Sequence, residues 1–164
     1  MAELKIFCAG GTIDKVYYDA LSDYQIGDPQ VEWILAQSGV NFTYEIESVI
    51  KKDSLEMDDK DRQLMAAKVS EDPCSKILIT HGTDTMVNTA QALQEAGIDN
   101  KTIVFVGAMQ PARFRDSDAM FNIGFAIAAL RTLPPGVYIA MSGHVFPADE
   151  VRKNRDAGRF ENKN

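Results

Sequence analysis

The sequence predicts an α/β fold: a doubly wound, mostly parallel sheet with helices on both faces. Three observations carry this expectation. Short continuous apolar runs alternate along the chain with longer segments of helical periodicity, the pattern of parallel strands covered on both faces. Each run ends at glycine or a small polar cluster, as strand-to-helix turns require. Strand–helix–strand crossovers are right-handed, so consecutive units wind into one covered sheet. The 164 residues suffice for one domain with a sizeable core, and no repeat, low-complexity tract or linker divides them. Residues 1–164 are therefore read as a single domain.

Taken in order, Leu4 to Ala9 reads as a buried strand stopped by Gly10-Gly11-Thr12-Ile13. The glycine pair permits a tight turn and the close approach of a ligand. Residues 14–27 show no steady period and place Tyr17, Tyr18 and Tyr24 among polar residues. A loop of that length suggests an active-site lid, with three surface-packed tyrosines as the plainer alternative. Asp28-Pro29 is read as the cap and first position of a helix whose face is Val31, Ile34 and Leu35, ending at Gly39. A second strand runs from Tyr44 to Ile50, and the next helix from Asp58, with Leu64, Met65 and Val69 as its stripe. Asp72-Pro73 stops that helix.

Ile77 to Thr80 forms the third strand and leads through His81-Gly82-Thr83-Asp84-Thr85 into a helix carrying Met86, Ala90 and Leu93. Thr102 to Val106 is a fourth strand, Asp118 to Leu133 a helix, and Val137 to Met141 a fifth strand. The stretch from Ser142 onward is polar and aperiodic, with Val151 and Phe160 as anchors.

Composition narrows the function. A net charge of −7 and pI near 4.8 argue against non-specific nucleic-acid or acidic-lipid binding. The two cysteines, Cys8 and Cys74, read as reduced thiols, no signal peptide or membrane helix is recognised, and a cytoplasmic protein is expected. The glycine pair is no dinucleotide fingerprint, and no phosphate-loop pattern follows it, so a nucleotide binder is disfavoured.

In a parallel sheet the points after each strand share one edge, where ligands bind. Gly11 and Thr12, Ser54, Gly82 with Thr83 and Asp84, and Gly107 with Ala108 would meet there. Hydroxyls and backbone N–H groups suit a carboxylate, and Asp84 suits an ammonium, so a small zwitterion fits. A hydroxyl at that edge is a nucleophile once a base takes its proton. His81 reads as a brace for the turn and His144 as a solvated side chain. Spacing does not choose among the lysines.

Two motifs then match a known family. Ile6-Phe7-Cys8-Ala9-Gly10-Gly11-Thr12-Ile13 and Ile77-Leu78-Ile79-Thr80-His81-Gly82-Thr83-Asp84-Thr85-Met86 resemble the two threonine signatures of the bacterial-type L-asparaginases and glutaminase-asparaginases. Gly107-Ala108-Met109 and Phe121-Asn122 also fit, and the similarity covers nearly the whole chain, as that family's N-terminal domain.

The resemblance implies hydrolysis of the side-chain amide of asparagine, with Thr12 as nucleophile and an acyl-enzyme intermediate. Tyr24 would assist from the lid, and Thr83, Lys153 and Asp84 would form a second triad. Lys153 is placed by Asp149-Glu150-Val151-Arg152-Lys153. Ser54 and the Gly11/Thr12 backbone would hold the α-carboxylate and Asp84 the α-amino group. The Ala108 carbonyl would receive the leaving nitrogen, with Gly82 and Leu55 beside the substrate. No metal or organic cofactor is implied, and a homo-oligomer is.

Three positions depart from the family pattern: Ala9 replaces a threonine, Asp14 a small residue, and Leu55 a glutamine common at its position. The family's second, C-terminal domain is expected to be absent. Glutaminase activity and a non-catalytic amino-acid-binding module are the competing readings.

Overall fold

The computed structural model describes all residues, Met1–Asn164. Five parallel strands form the sheet: β1 (Leu4–Gly10), β4 (Tyr44–Lys52), β5 (Lys76–Thr80), β6 (Thr102–Val106) and β7 (Gly136–Met141). Antiparallel β8 (His144–Pro147) closes one edge, giving the order β4-β1-β5-β6-β7-β8. The winding direction reverses between β1 and β5, the switch point outside whose carboxyl ends doubly wound sheets form a crevice.

The central strands form because their residues are apolar on both faces. Ile77, Leu78, Ile79, Ile103, Val104, Phe105 and Val106 are wholly buried, and they belong to one contiguous core of 40 side chains. α1 (Val31–Gln37) and α4 (Ala119–Thr132) face each other across a small apolar groove lined by Ile34, Leu35, Ile123 and Ile127. α2 (Asp59–Glu71) packs on α3 (Met86–Glu95). α2 starts at a reciprocal capping box, in which Asp58 accepts from the Asp61 N–H and Asp61 from the Asp58 N–H.

The fold class is as expected; several elements are not. Residues 14–27 are no open loop. After a 3-10 turn at Thr12–Asp14, β2 (Lys15–Tyr18) pairs antiparallel with β3 (Asp23–Ile26), joined by a second 3-10 turn at Asp19–Leu21. Its tyrosines are largely exposed, so no apolar alternation marks the strands. The segment from Ser142 onward holds β8 and a further hairpin, β9 (Val151–Asn154) with β10 (Arg159–Asn162).

Asp28 and Pro29 do not open α1. Gln30 occupies the cap position without a side-chain cap, and Asp28 instead pairs with Lys51 at 2.9 Å. Leu64 lies on the solvent side of α2, leaving Met65 and Val69 as its buried residues. β4 is an edge strand with only Ile50 fully buried. No helix is long and apolar enough to cross a membrane.

Candidate active site

The turns after β1, β4 and β5 interlock at the switch point. Gly10 and Gly11 adopt φ of +85° and +86°, a region that costs glycine little. The Gly11 N–H donates to the Lys52 carbonyl at 2.9 Å, tying β1's end to β4's. A methyl on Gly11 would collide with the Gly82 backbone, and one on Gly82 would lie 2.6 Å from Ser54 Cβ. The absence of side chains lets the three turns touch. Ser54 is buried; its carbonyl accepts from Thr85 Oγ1 at 2.7 Å and its Oγ from the Thr85 N–H at 3.4 Å.

Thr83 and Asp84 sit between β5 and α3, and Lys153 reaches them from β9. The Lys153 ammonium lies 2.8 Å from Thr83 Oγ1 and 2.7 Å from Asp84 Oδ1. Thr83 is buried, and the lysine side chain retains only 13 % of its exposure. The hydrogen bond and charge of Lys153 hold the Asp84 carboxyl below the usual carboxylate range, with smaller help from Arg155 and Lys15.

His81 braces this turn. It is fully buried, with Nδ1 2.7 Å from the Gly82 carbonyl and Nε2 2.8 Å from Thr89 Oγ1. Burial pushes its pKa down to about 4, so the ring is neutral at neutral pH and sits in the frame of the site.

Thr12 begins the 3-10 turn after Gly11, half-buried, and its hydroxyl makes no hydrogen bond within the chain. Tyr24 stays on the half-exposed hairpin, edge-on to Tyr17 and to Phe114 with ring centroids 5.3 and 5.9 Å apart, and is not bonded to Thr12. Leu55 points outward, while its N–H donates to Asp53. Ala108 is buried after β6. The structure thus joins Thr83, Asp84 and Lys153 directly. It sets Gly11 and Thr12, Gly82 and Ser54 in adjoining turns, and leaves Tyr24 packed on its own hairpin.

Two supporting residues escaped the sequence reading, and a third was matched without a role. Asp118 accepts from the Met109 and Gln110 N–H groups, and buried Asn122 donates to the Gly107 carbonyl and to Asp118. Together they fix the loop that carries Ala108. Their four-residue spacing at the start of α4 was the available signal. Arg155, in the turn after β9, lies 3.4 Å from Asp84 Oδ1 and had no signal in the sequence.

Comparison with known proteins gives the chain's relatives. The family model described as "Asparaginase, N-terminal" matches residues 3–161. The chain is 31% identical over 178 residues to "L-asparaginase 2" of Escherichia coli, covering 100% of this chain and 50% of that protein. It is 29% identical over 176 residues to "Glutaminase-asparaginase" of Pseudomonas fluorescens, covering 99% and 46%. Among solved structures, L-asparaginase I from Vibrio cholerae superposes with a TM-score of 0.83 at 21% identity, over 100% of this chain and 52% of that one. At that identity the superposition speaks for the fold. The chain spans about half the length of the curated relatives it matches in full.

Proposed function

This chain belongs to the asparaginase family through the family's N-terminal domain, and from that premise we propose that it is an amidohydrolase cleaving L-asparagine to L-aspartate and ammonia. One observation carries the reading: an amine from β9 bonds at once to a threonine hydroxyl and an aspartate 70 and 69 residues earlier in the chain. A threonine hydroxyl is barely ionised at neutral pH and needs a proton acceptor. Lys153, bonded to both Thr83 and Asp84, is the group poised to relay that proton, and Asp84 holds it in place.

In this reading Thr12 attacks the side-chain carbonyl and Tyr24 assists it once the hairpin closes. Thr83, Lys153 and Asp84 serve the water that cleaves the acyl-enzyme. The tetrahedral oxyanion needs N–H donors, which the turn at Gly82–Thr83 and the start of α3 place at this edge. Ser54 and the Gly11/Thr12 backbone take the α-carboxylate, Asp84 the α-ammonium, and the Ala108 carbonyl the departing amide nitrogen. Leu55 and Gly82 flank the substrate. No step calls for a cofactor. Cytoplasmic residence belongs to the same proposal, supported by the two buried free thiols.

Glutamine is the second amide to consider, because a relative carries both activities in its name. It differs by one methylene, which a pocket discriminates only modestly. Ammonia release from both amides by the wild-type protein, Thr12→Ala, Thr83→Ala and Lys153→Met tests the reading. Turnover in the wild type and a loss of about 100-fold or more in each variant is expected, in the range of a lost acid–base group. Saturable amino-acid binding without ammonia would replace the enzyme with a binding module.

A further inference from the structure

Asp84 bears two cations on one oxygen. Lys153 Nζ lies 2.7 Å from Oδ1 and Arg155 Nε 3.4 Å from the same atom, while Oδ2 has no partner within the chain. Lys153 ends in the buried interior of the site, whereas Arg155 stands in the β9–β10 turn. That turn is ordered: the Ala157 N–H donates to Asn154 Oδ1 at 3.0 Å and the Gly158 N–H to the Arg155 carbonyl at 3.3 Å. Beside the pair opens a cavity of about 660 Å³, lined by Asp84, Lys153, Arg155, Lys163, Asn88 and Gln91 among others.

Resting on the reading of Asp84 as the α-ammonium's partner, we propose that Arg155 is a specificity-determining residue. It disfavours ligands that carry an α-ammonium and favours otherwise identical ones that lack it. Two cations against one carboxylate leave this cluster at +1. An entering ammonium must share Asp84 with both, and Oδ2 is the carboxylate oxygen left without a hydrogen bond inside the chain. A guanidinium cannot relieve the conflict by losing its proton. A ligand carboxylate, by contrast, gains from the surplus charge. Arg155 is 62% exposed, so solvent and salt weaken the effect, and it shifts preference by a modest factor.

The test compares L-aspartate with succinate, which differ only in the α-amino group. Each is titrated calorimetrically into the wild type, Arg155→Gln and Arg155→Lys, at low and at high salt. Removing the charge should tighten aspartate relative to succinate by about two- to fivefold, the range of an exposed ion pair. Lysine should restore the wild-type ratio, and high salt should bring the wild type and Arg155→Gln together. A ratio unchanged or reversed in Arg155→Gln, with both ligands still binding, overturns the role of Arg155 alone. Failure of the wild type to bind either ligand overturns the reading of the site and this inference with it. Thermal melts of the variants confirm that the exposed turn tolerates the change.

Discussion

Asp14 and His81 are buried ionisable residues within two positions of the sheet-edge turns, and burial acts on them in opposite directions. Asp14, 2% exposed, accepts from the Gln30 N–H at 2.9 Å, yet desolvation lifts its pKa to about 7. Between pH 4 and 7 the folded chain keeps this proton while the unfolded chain has released it. Stability from Asp14 is therefore full in acid and lost as pH rises through 7. His81 is held down to about 4. Its contribution is full above pH 6.5 and is lost as pH falls toward 4. Each shift corresponds to roughly 3–4 kcal/mol between its limits. Over pH 4 to 6.5 the two slopes nearly cancel. The expected result is a flat melting temperature across that window for these two groups. Asp14→Asn, which can still accept from Gln30, should make stability climb with pH there and raise it above pH 7. Melts at half-unit steps check this; a variant whose profile parallels the wild type would refute it.

Among secondary elements, the turn joining β1 to the hairpin is the most constrained. Gly11 combines a φ of +86° with a backbone packed against Gly82. Gly11→Ala is expected to cost about 3 kcal/mol or more, from left-handed strain plus displacement of the neighbouring turn. Denaturant unfolding measures it; a loss below about 1 kcal/mol would show that the turns are loosely fitted.

Elements buried on both faces were legible in the sequence. β1, β5, β6 and β7 are continuous apolar runs, and α3 shows its Met86, Ala90, Leu93 stripe. The two hairpins were not legible, because Tyr17, Tyr18 and Tyr24 in one and Arg152, Lys153 and Arg159 in the other face largely outward or into the site. Strand pairing there rests on backbone bonds, which leave no pattern in residue type. The site divides the same way. Thr12, Ser54, Thr83 and Asp84 were found because they follow strands. Lys153 came only through family resemblance. Asp118 pairs with Asn122 at a four-residue helical spacing whose role only the fold reveals, and Arg155 acts through a contact that no spacing announces.

The whole molecule joins an acidic surface, net charge −7, to a core that already covers most of its apolar residues. Val151 and Phe160 anchor the tail as expected, and Phe146 is buried with them, while Val145 remains at the surface. The large apolar side chains left outside include Trp33 on α1 and Met120 and Phe121 on α4, at 48%, 47% and 63% exposure. α1 and α4 lie side by side, and we propose a homo-oligomer formed through that pair of helices. Light scattering should give a mass that is a multiple of 18.1 kDa; a value of one chain would refute the assembly.

The distance in sequence between Thr83 and the amine that meets it also sets a calendar for synthesis. A growing polypeptide lays down both threonines and all five parallel strands before β9 emerges. Until then the nascent sheet is complete in outline, yet Thr83 and Asp84 lack the amine they bond in the finished fold. If the proposed activity holds, ribosome-arrested chains of increasing length should gain amide cleavage abruptly when the β9–β10 ribbon docks and adds Val151 and Phe160 to the core.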